Sequence, residues 1–282
     1  MQRKYALLGG KLGHTLSPPI HTRLFELRGR EFEYSLIEAE PDGFLSAMDS
    51  VKQLAGCNVT IPHKQAVIPF MDKLDDSAKR YGAVNCIDNK QGVLTGYNTD
   101  CDGFLRSVKA SGASLDGRVL LLGCGGVGRM MAIESALAGA ELYIAVLTSD
   151  FPLAQQAVDE ITAMKPDANV TVVEINSIDK SLQYDLLINA TPVGMYPKCD
   201  ACPVADDVIQ RCGFVFDVIY NPKETLLIKK AVSMGKPAVS GMAMLVWQAV
   251  SAHEIWDGDS YTDDEVQAII DEMYEIVQRD FK

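Results

Sequence analysis

Residues 117–147, GRVLLLGCGGVGRMMAIESALAGAELYIAVL, decide the fold. The apolar run RVLLL is short and ends at a glycine, which suits a strand buried on both faces. GCGGVG places Gly123, Gly125 and Gly128 in a GxGxxG spacing. A helical pattern rich in small residues follows, and ELYIAVL reads as a second strand. In this strand, turn, helix order the first glycine allows a tight turn and the second lets the backbone approach a pyrophosphate. The third lets helix pack on strand, while the helix N-terminus attracts the anion. The stretch therefore predicts the opening β-α-β of a doubly wound parallel sheet that binds a nicotinamide or flavin dinucleotide. The plainer alternative is a structural glycine turn.

The same alternation continues downstream. NVTVVEI, YDLLINAT, FVFDVIY and a short KPAVS read as strands, with FPLAQQAVDEITAMK and ETLLIKKAVSMG as helices between them. Near-continuous apolar strands joined by helical crossovers predict a parallel sheet covered on both faces. Upstream, KYALLGG, EFEYSLIEA and GCNVTI read as strands, and GFLSAMDSVKQL as a helix. SPPIHTRLFELRG predicts a helix with Ser17 as its N-cap and Gly29 at its end. HKQAVIPFMDKL is read as a further helical segment, NCIDNKQGVLTGYNT as a hairpin and DGFLRSVKASG as a helix. The expected class is α/β with two domains. Residues 1–101 form an α/β substrate-binding domain and residues 102–240 a Rossmann-type domain. Two helical patterns in residues 241–282 are expected to pack back on the first.

The chain has 282 residues, more than one compact core usually supports, and a formal net charge of −12. That charge argues against non-specific binding of nucleic acid or an anionic membrane. No apolar run approaches the ~20 residues of a spanning helix. Seven cysteines, with no charged-then-apolar opening, are expected to be reduced thiols of a cytoplasmic protein. Cys199 and Cys202 form a CxxC, but no second pair stands at zinc-ribbon spacing, so they read as two thiols in a loop.

Three stretches before the glycine loop are dense in polar groups: GHTLSPPIH, NVTIPHK, and GAVN with GYNTD. Hydroxyls (Thr15, Ser17, Thr60), carboxamides (Asn58, Asn85, Asn98), one ammonium (Lys64) and one carboxylate (Asp100) suit a small polyhydroxylated acid. Taken singly, each has a plainer reading: a helix cap, turn asparagines, a solvated lysine. After the second strand of the dinucleotide half come Thr148, Ser149 and Asp150, and no Arg or Lys stands between Arg129 and Lys165.

Together these stretches resemble the shikimate dehydrogenase family. The resemblance runs in order through GHTLSPPIH, NVTIPHK, GAVN, GYNTD, GCGGVGR, NATPVGM, FDVIYNPKET and GMAMLVWQA. It implies reduction of 3-dehydroshikimate to shikimate with NAD(P), in the route to aromatic amino acids, without a metal. Carried over by position, it implies Lys64 and Asp100 as the catalytic pair. Thr15 and Ser17 would bind the substrate carboxylate, and Thr60, Asn85, Thr99, Tyr220 and Gln248 would complete the substrate contacts. On the cofactor side it implies Gly123, Gly125, Gly126, Val127 and Gly128 at the pyrophosphate, Val218 and Gly241 near the nicotinamide, Thr191 beside it, and Asp76 as a further contact.

Two departures stand out. The family's usual HSxSP is HTLSP here, so Thr15 replaces a serine and its added methyl group points to quinate as an alternative substrate. NADP-using members commonly carry an arginine after the second strand and another shortly beyond. Here Thr148, Ser149 and Asp150 stand at the first position and Leu153 at the second. A carboxylate repels a 2′-phosphate and accepts from a 2′-hydroxyl, which favours NAD over the family default NADP. The expected partner is a small molecule, and the expected assembly a monomer or homodimer. From another class, a non-catalytic sensor of a dinucleotide or shikimate-like ligand is disfavoured by the retained Lys64 and Asp100.

Overall fold

The computed structural model describes residues 3–13 and 15–280; His14 of GHTLSPPIH lies outside them. The chain divides into two compact units. One takes residues up to Gly103 together with Leu245–Met273, the other Phe104–Met244 and the chain from Tyr274 onward.

The first unit runs β1 (Arg3–Gly9), α1 (Ser17–Leu27), β2 (Phe32–Glu38), α2 (Phe44–Val51), β3 (Gly56–Val59), β4 (Lys73–Leu74), α3 (Asp76–Tyr81), β5 (Cys86–Lys90) and β6 (Val93–Tyr97), then enters α4 (Asp100–Ala110). Its sheet has the order β2-β1-β3-β5-β6-β4. β1 pairs in parallel with β2 and β3, whereas β5 runs antiparallel to β3 and β6. The hairpin turns at Gln91 and Gly92, both with positive φ, as a two-residue turn that follows the strand twist requires. Side-chain alternation along β1 feeds two cores: Ala6 and Leu8 pack with Met48, Val59 and Ile87, while Tyr5 packs with Phe25, Cys86 and Trp256.

The second unit runs β7 (Arg118–Leu122), α5 (Gly126–Ala138), β8 (Glu141–Val146), α6 (Phe151–Met164), β9 (Asn169–Glu174), β10 (Tyr184–Asn189), α7 (Asp206–Gln210), β11 (Cys212–Asp217), α8 (Leu226–Ser233) and β12 (Ala238–Ser240). All strands are parallel, in the order β12-β11-β10-β7-β8-β9. This is the doubly wound arrangement, and its order reverses between β7 and β10. Ligands of such sheets bind outside the strand carboxyl ends at that switch point. The chain ends in α9 (Met242–Asp257) and α10 (Asp263–Asp280), and none of the described helices is long and apolar enough to cross a membrane.

Two local expectations are corrected. Ser17 is not the N-cap of α1 but its first residue, with Leu16 at the cap and no capping side chain. Pro18 and Pro19 follow directly, and a proline has no N–H for a cap to accept, so the serine hydroxyl is left for other partners. Residues 63–74 form no α-helix: turns lead to a short 3-10 stretch at Ile68–Phe70 and then β4. Pro69 removes the donor that a continuing helix would need at that point.

Candidate active site

In the first unit the polar residues of three separate loops converge. Lys64 follows β3 in a turn and its carbonyl accepts from Val84 N–H at 2.8 Å, which ties the lysine to the segment entering β5. Asp100 is the first residue of α4. The Lys64 ammonium donates to Asp100 Oδ2 at 2.6 Å, and both side chains are largely but not fully buried, at 25% and 18% exposure. Asn85 fixes the other carboxylate oxygen: its Nδ2 donates to Asp100 Oδ1 at 2.9 Å. Its Oδ1 accepts from the Thr99 backbone N–H at 2.6 Å. Gln248 of α9 brings Oε1 to 3.4 Å from Asn85 Nδ2 and 3.5 Å from Thr99 Oγ1. Five of the sequence-derived residues thus share one hydrogen-bond network with an ammonium at its edge.

Thr15 and Ser17 form a second, local group. Thr15 Oγ1 accepts from the Ser17 N–H and donates to Ser17 Oγ, both at 3.2 Å. Thr60 leaves the end of β3 with its N–H on Leu8 O at 2.8 Å. Asp76 opens α3 and is almost fully exposed, facing Lys79 at 3.3 Å, while the N-cap role belongs to Asp75.

In the second unit the glycine loop has the shape its spacing predicts. Gly123 has φ +85° and a Cβ on Gly128 would run into the carbonyl oxygen of Gly123, so helix and strand approach as only glycine permits. Gly125 caps α5 and Gly126 begins it. Over both, the space a side chain would fill is empty. Unpaired N–H groups of a helix's first turn, bare backbone and open space are what a pyrophosphate requires, so these residues fit a dinucleotide. Val127, next along the helix, is partly exposed. Thr191, just past β10, donates to Asn189 Oδ1 at 2.6 Å, and Asn189 in turn donates to Asp217 Oδ1 at 2.9 Å. Asp217 also accepts from Thr225 Oγ1 at 2.7 Å, and burial raises its carboxyl above the usual range. Val218 follows it, and its carbonyl lies so close to Gly241 that a Cβ there has no room. Tyr220, two residues on, is half-buried, and its burial raises the phenol pKa.

After β8, Thr148–Asp150 make a 3-10 turn, with Ser149 Oγ donating to Asp150 Oδ1 at 3.1 Å. Arg129, the last cation before this turn, has its guanidinium engaged by Glu160, Nε to Oε2 at 2.7 Å. Sequence reasoning did not find that ion pair, since α5 and α6 had to be packed first. Cys199 and Cys202 lie half-buried in a loop as free thiols. His253, Asp257 and Asp259 are grouped closely enough to share a cation. However, Asp257 already accepts from Arg3 and Tyr5, and Asp259 from Arg30.

A doubly wound dinucleotide unit joined to a unit that sets an ammonium against a carboxylate among hydroxyls and carboxamides defines a nucleotide-dependent dehydrogenase. Residues 7–87 match the profile of the shikimate dehydrogenase substrate binding domain. The shikimate dehydrogenase (NADP(+)) of Caldanaerobacter subterraneus subsp. tengcongensis is 35% identical over 266 residues, covering 92% of this chain and 93% of that one. The crystal structure of shikimate 5-dehydrogenase from Listeria monocytogenes with shikimate and NAD superposes with TM-score 0.86 at 28% identity, covering 95% and 96%. Quinate dehydrogenase from Corynebacterium glutamicum with NAD gives TM-score 0.86 at 28% identity, covering 97% and 99%. The chain belongs to the shikimate dehydrogenase family.

Proposed function

We propose that this protein catalyses the reversible reduction of 3-dehydroshikimate to shikimate with a nicotinamide dinucleotide. The observation that carries this reading is the Lys64–Asp100 contact at 2.6 Å, with Asn85 holding the second carboxylate oxygen. The bound nicotinamide supplies or accepts the hydride. When hydride reaches the ketone carbon, negative charge develops on its oxygen, and the Lys64 ammonium stabilises that charge and delivers a proton from Nζ. Asp100 orients the ammonium and accepts from substrate hydroxyls. Asn85, Thr99, Thr60 and Gln248 hold further hydroxyls, and Thr15 with Ser17 receives the carboxylate; Tyr220 completes the set. The first unit is the substrate domain and the second the cofactor domain. There Gly123, Gly125, Gly126, Val127 and Gly128 take the pyrophosphate, and Val218, Gly241 and Thr191 lie by the nicotinamide. Asp76 adds an outer contact.

NAD is the preferred dinucleotide in this reading. Asp150 and Ser149 offer oxygen acceptors to a ribose 2′-hydroxyl, and Arg129 is held by Glu160. A 2′-phosphate would meet a carboxylate in place of a guanidinium. Quinate oxidation is the second reading, favoured by Thr15 and by the likeness to the quinate dehydrogenase. Initial rates for shikimate and quinate, each with NAD and NADP, test all three points. The expected ranking of kcat/KM puts shikimate with NAD first. A much higher kcat/KM with NADP overturns the cofactor assignment, and turnover of neither acid overturns the function.

A further inference from the structure

We infer that Asn98 is a positioning residue for Asp100, the pin that joins the Asn85 segment to the start of α4 and so sets the carboxylate that holds the Lys64 ammonium. The inference rests on the catalytic reading of Lys64 and Asp100 given above.

Asn98 is 4% exposed, and its side chain meets the backbone of Asp100 rather than the carboxylate. Its Oδ1 accepts the backbone N–H of Asp100 at 3.1 Å, an Asx turn that fixes the direction in which the first residue of α4 leaves the backbone. Its Nδ2 donates to Ala83 O at 3.1 Å, two residues before Asn85. Its own N–H donates to Ser77 Oγ at 2.9 Å, and Ser77 is hydrogen-bonded to Asp75, the N-cap of α3. One buried carboxamide therefore spans the two segments that supply Asn85 and Asp100, which meet at 2.9 Å. Both segments also reach Lys64: one through the Val84 N–H on its carbonyl, the other through the Asp100 carboxylate on its ammonium. An alanine at this position leaves the Asp100 N–H and the Ala83 carbonyl unpaired, and the turn that aims the carboxylate loses its tie.

The test compares Asn98→Ala and Asn98→Ser with Asp100→Asn and with the double variants, by steady-state kinetics with shikimate and NAD. Asn89→Ala is the control, since Asn89 Nδ2 also donates to two carbonyls, Lys52 O and Leu54 O, outside the network. Misplacing a reacting group by about 1 Å costs on the order of 100-fold, so N98A is expected to lower kcat about 10- to 100-fold with KM within about threefold. The serine, which keeps a short acceptor for the Asp100 N–H, is expected to recover a large part of that loss. In the Asp100→Asn background both substitutions are expected to add nothing to the loss in kcat, as required of a residue acting through Asp100. N89A should melt at a lower temperature and keep its kcat. The inference is overturned if folded N98A keeps a near-normal kcat, or if its loss multiplies with that of Asp100→Asn. Should N98A fail to fold, the serine variant carries the same two criteria. A near-normal kcat in Asp100→Asn alone overturns the catalytic reading instead.

Discussion

Lys64 and Asp100 stand 36 positions apart in sequence and share a proton-bearing contact in the fold. Removing the ammonium should be felt in the chemical step. Lys64→Ala is expected to lower kcat by about 100- to 10,000-fold while KM changes a few-fold, measured with saturating shikimate and NAD. A near-normal kcat would remove Lys64 from the mechanism. The residue types at this site were legible because ammonium, carboxylate and carboxamides cluster in three short stretches of otherwise ordinary composition. What each touches was not. Asn98 read as a turn asparagine, and only the folded chain shows its two ends on two different segments. The Arg129 to Glu160 pair was invisible for the same reason.

At the scale of elements, periodicity located the strands of the parallel sheet and the glycine loop because buried strands and GxGxxG turns leave strong local signals. It failed where proline chemistry competes with pattern. The doubled proline after Ser17 empties the cap of donors, and Pro69 interrupts a run whose apolar spacing otherwise suits a helix. The junction of β7 with α5 depends on contact between backbones. Gly128→Ala is expected to destabilise the fold by about 1–3 kcal/mol through overpacking against Gly123, read from the midpoint of urea unfolding. An unchanged midpoint would mean the helix can retreat without loss.

For the whole molecule, acid sensitivity has an identifiable source. His21 and His253 are buried side by side in the first unit, His21 Nδ1 at 3.0 Å from His253 Nε2, and His21 Nε2 has no partner. Burial holds His253 down at about 3 and His21 well below its ordinary value, the latter also through His253. The unfolded chain therefore binds more protons than the folded one below pH 6.5. Stability is fully present above that pH and falls as pH drops below it, because each histidine binds its proton more readily in the unfolded chain. Asp217, whose buried carboxyl titrates above the usual range, gains stability on acidification and opposes this. Urea unfolding at pH 7.5, 6.0 and 5.0 should show the decline, and His21→Gln should flatten it. A pH-independent midpoint over that range would contradict the assignment.

The contact between Gly241 and the Val218 carbonyl bears on how other sequences can be read. No side chain of any size fits there, so the position tolerates no substitution while β11 and the start of α9 keep this geometry. A homologue with alanine or serine at the equivalent place has necessarily rebuilt that junction. Glycine at this one position thus marks the chains that can share this junction of β11 with α9.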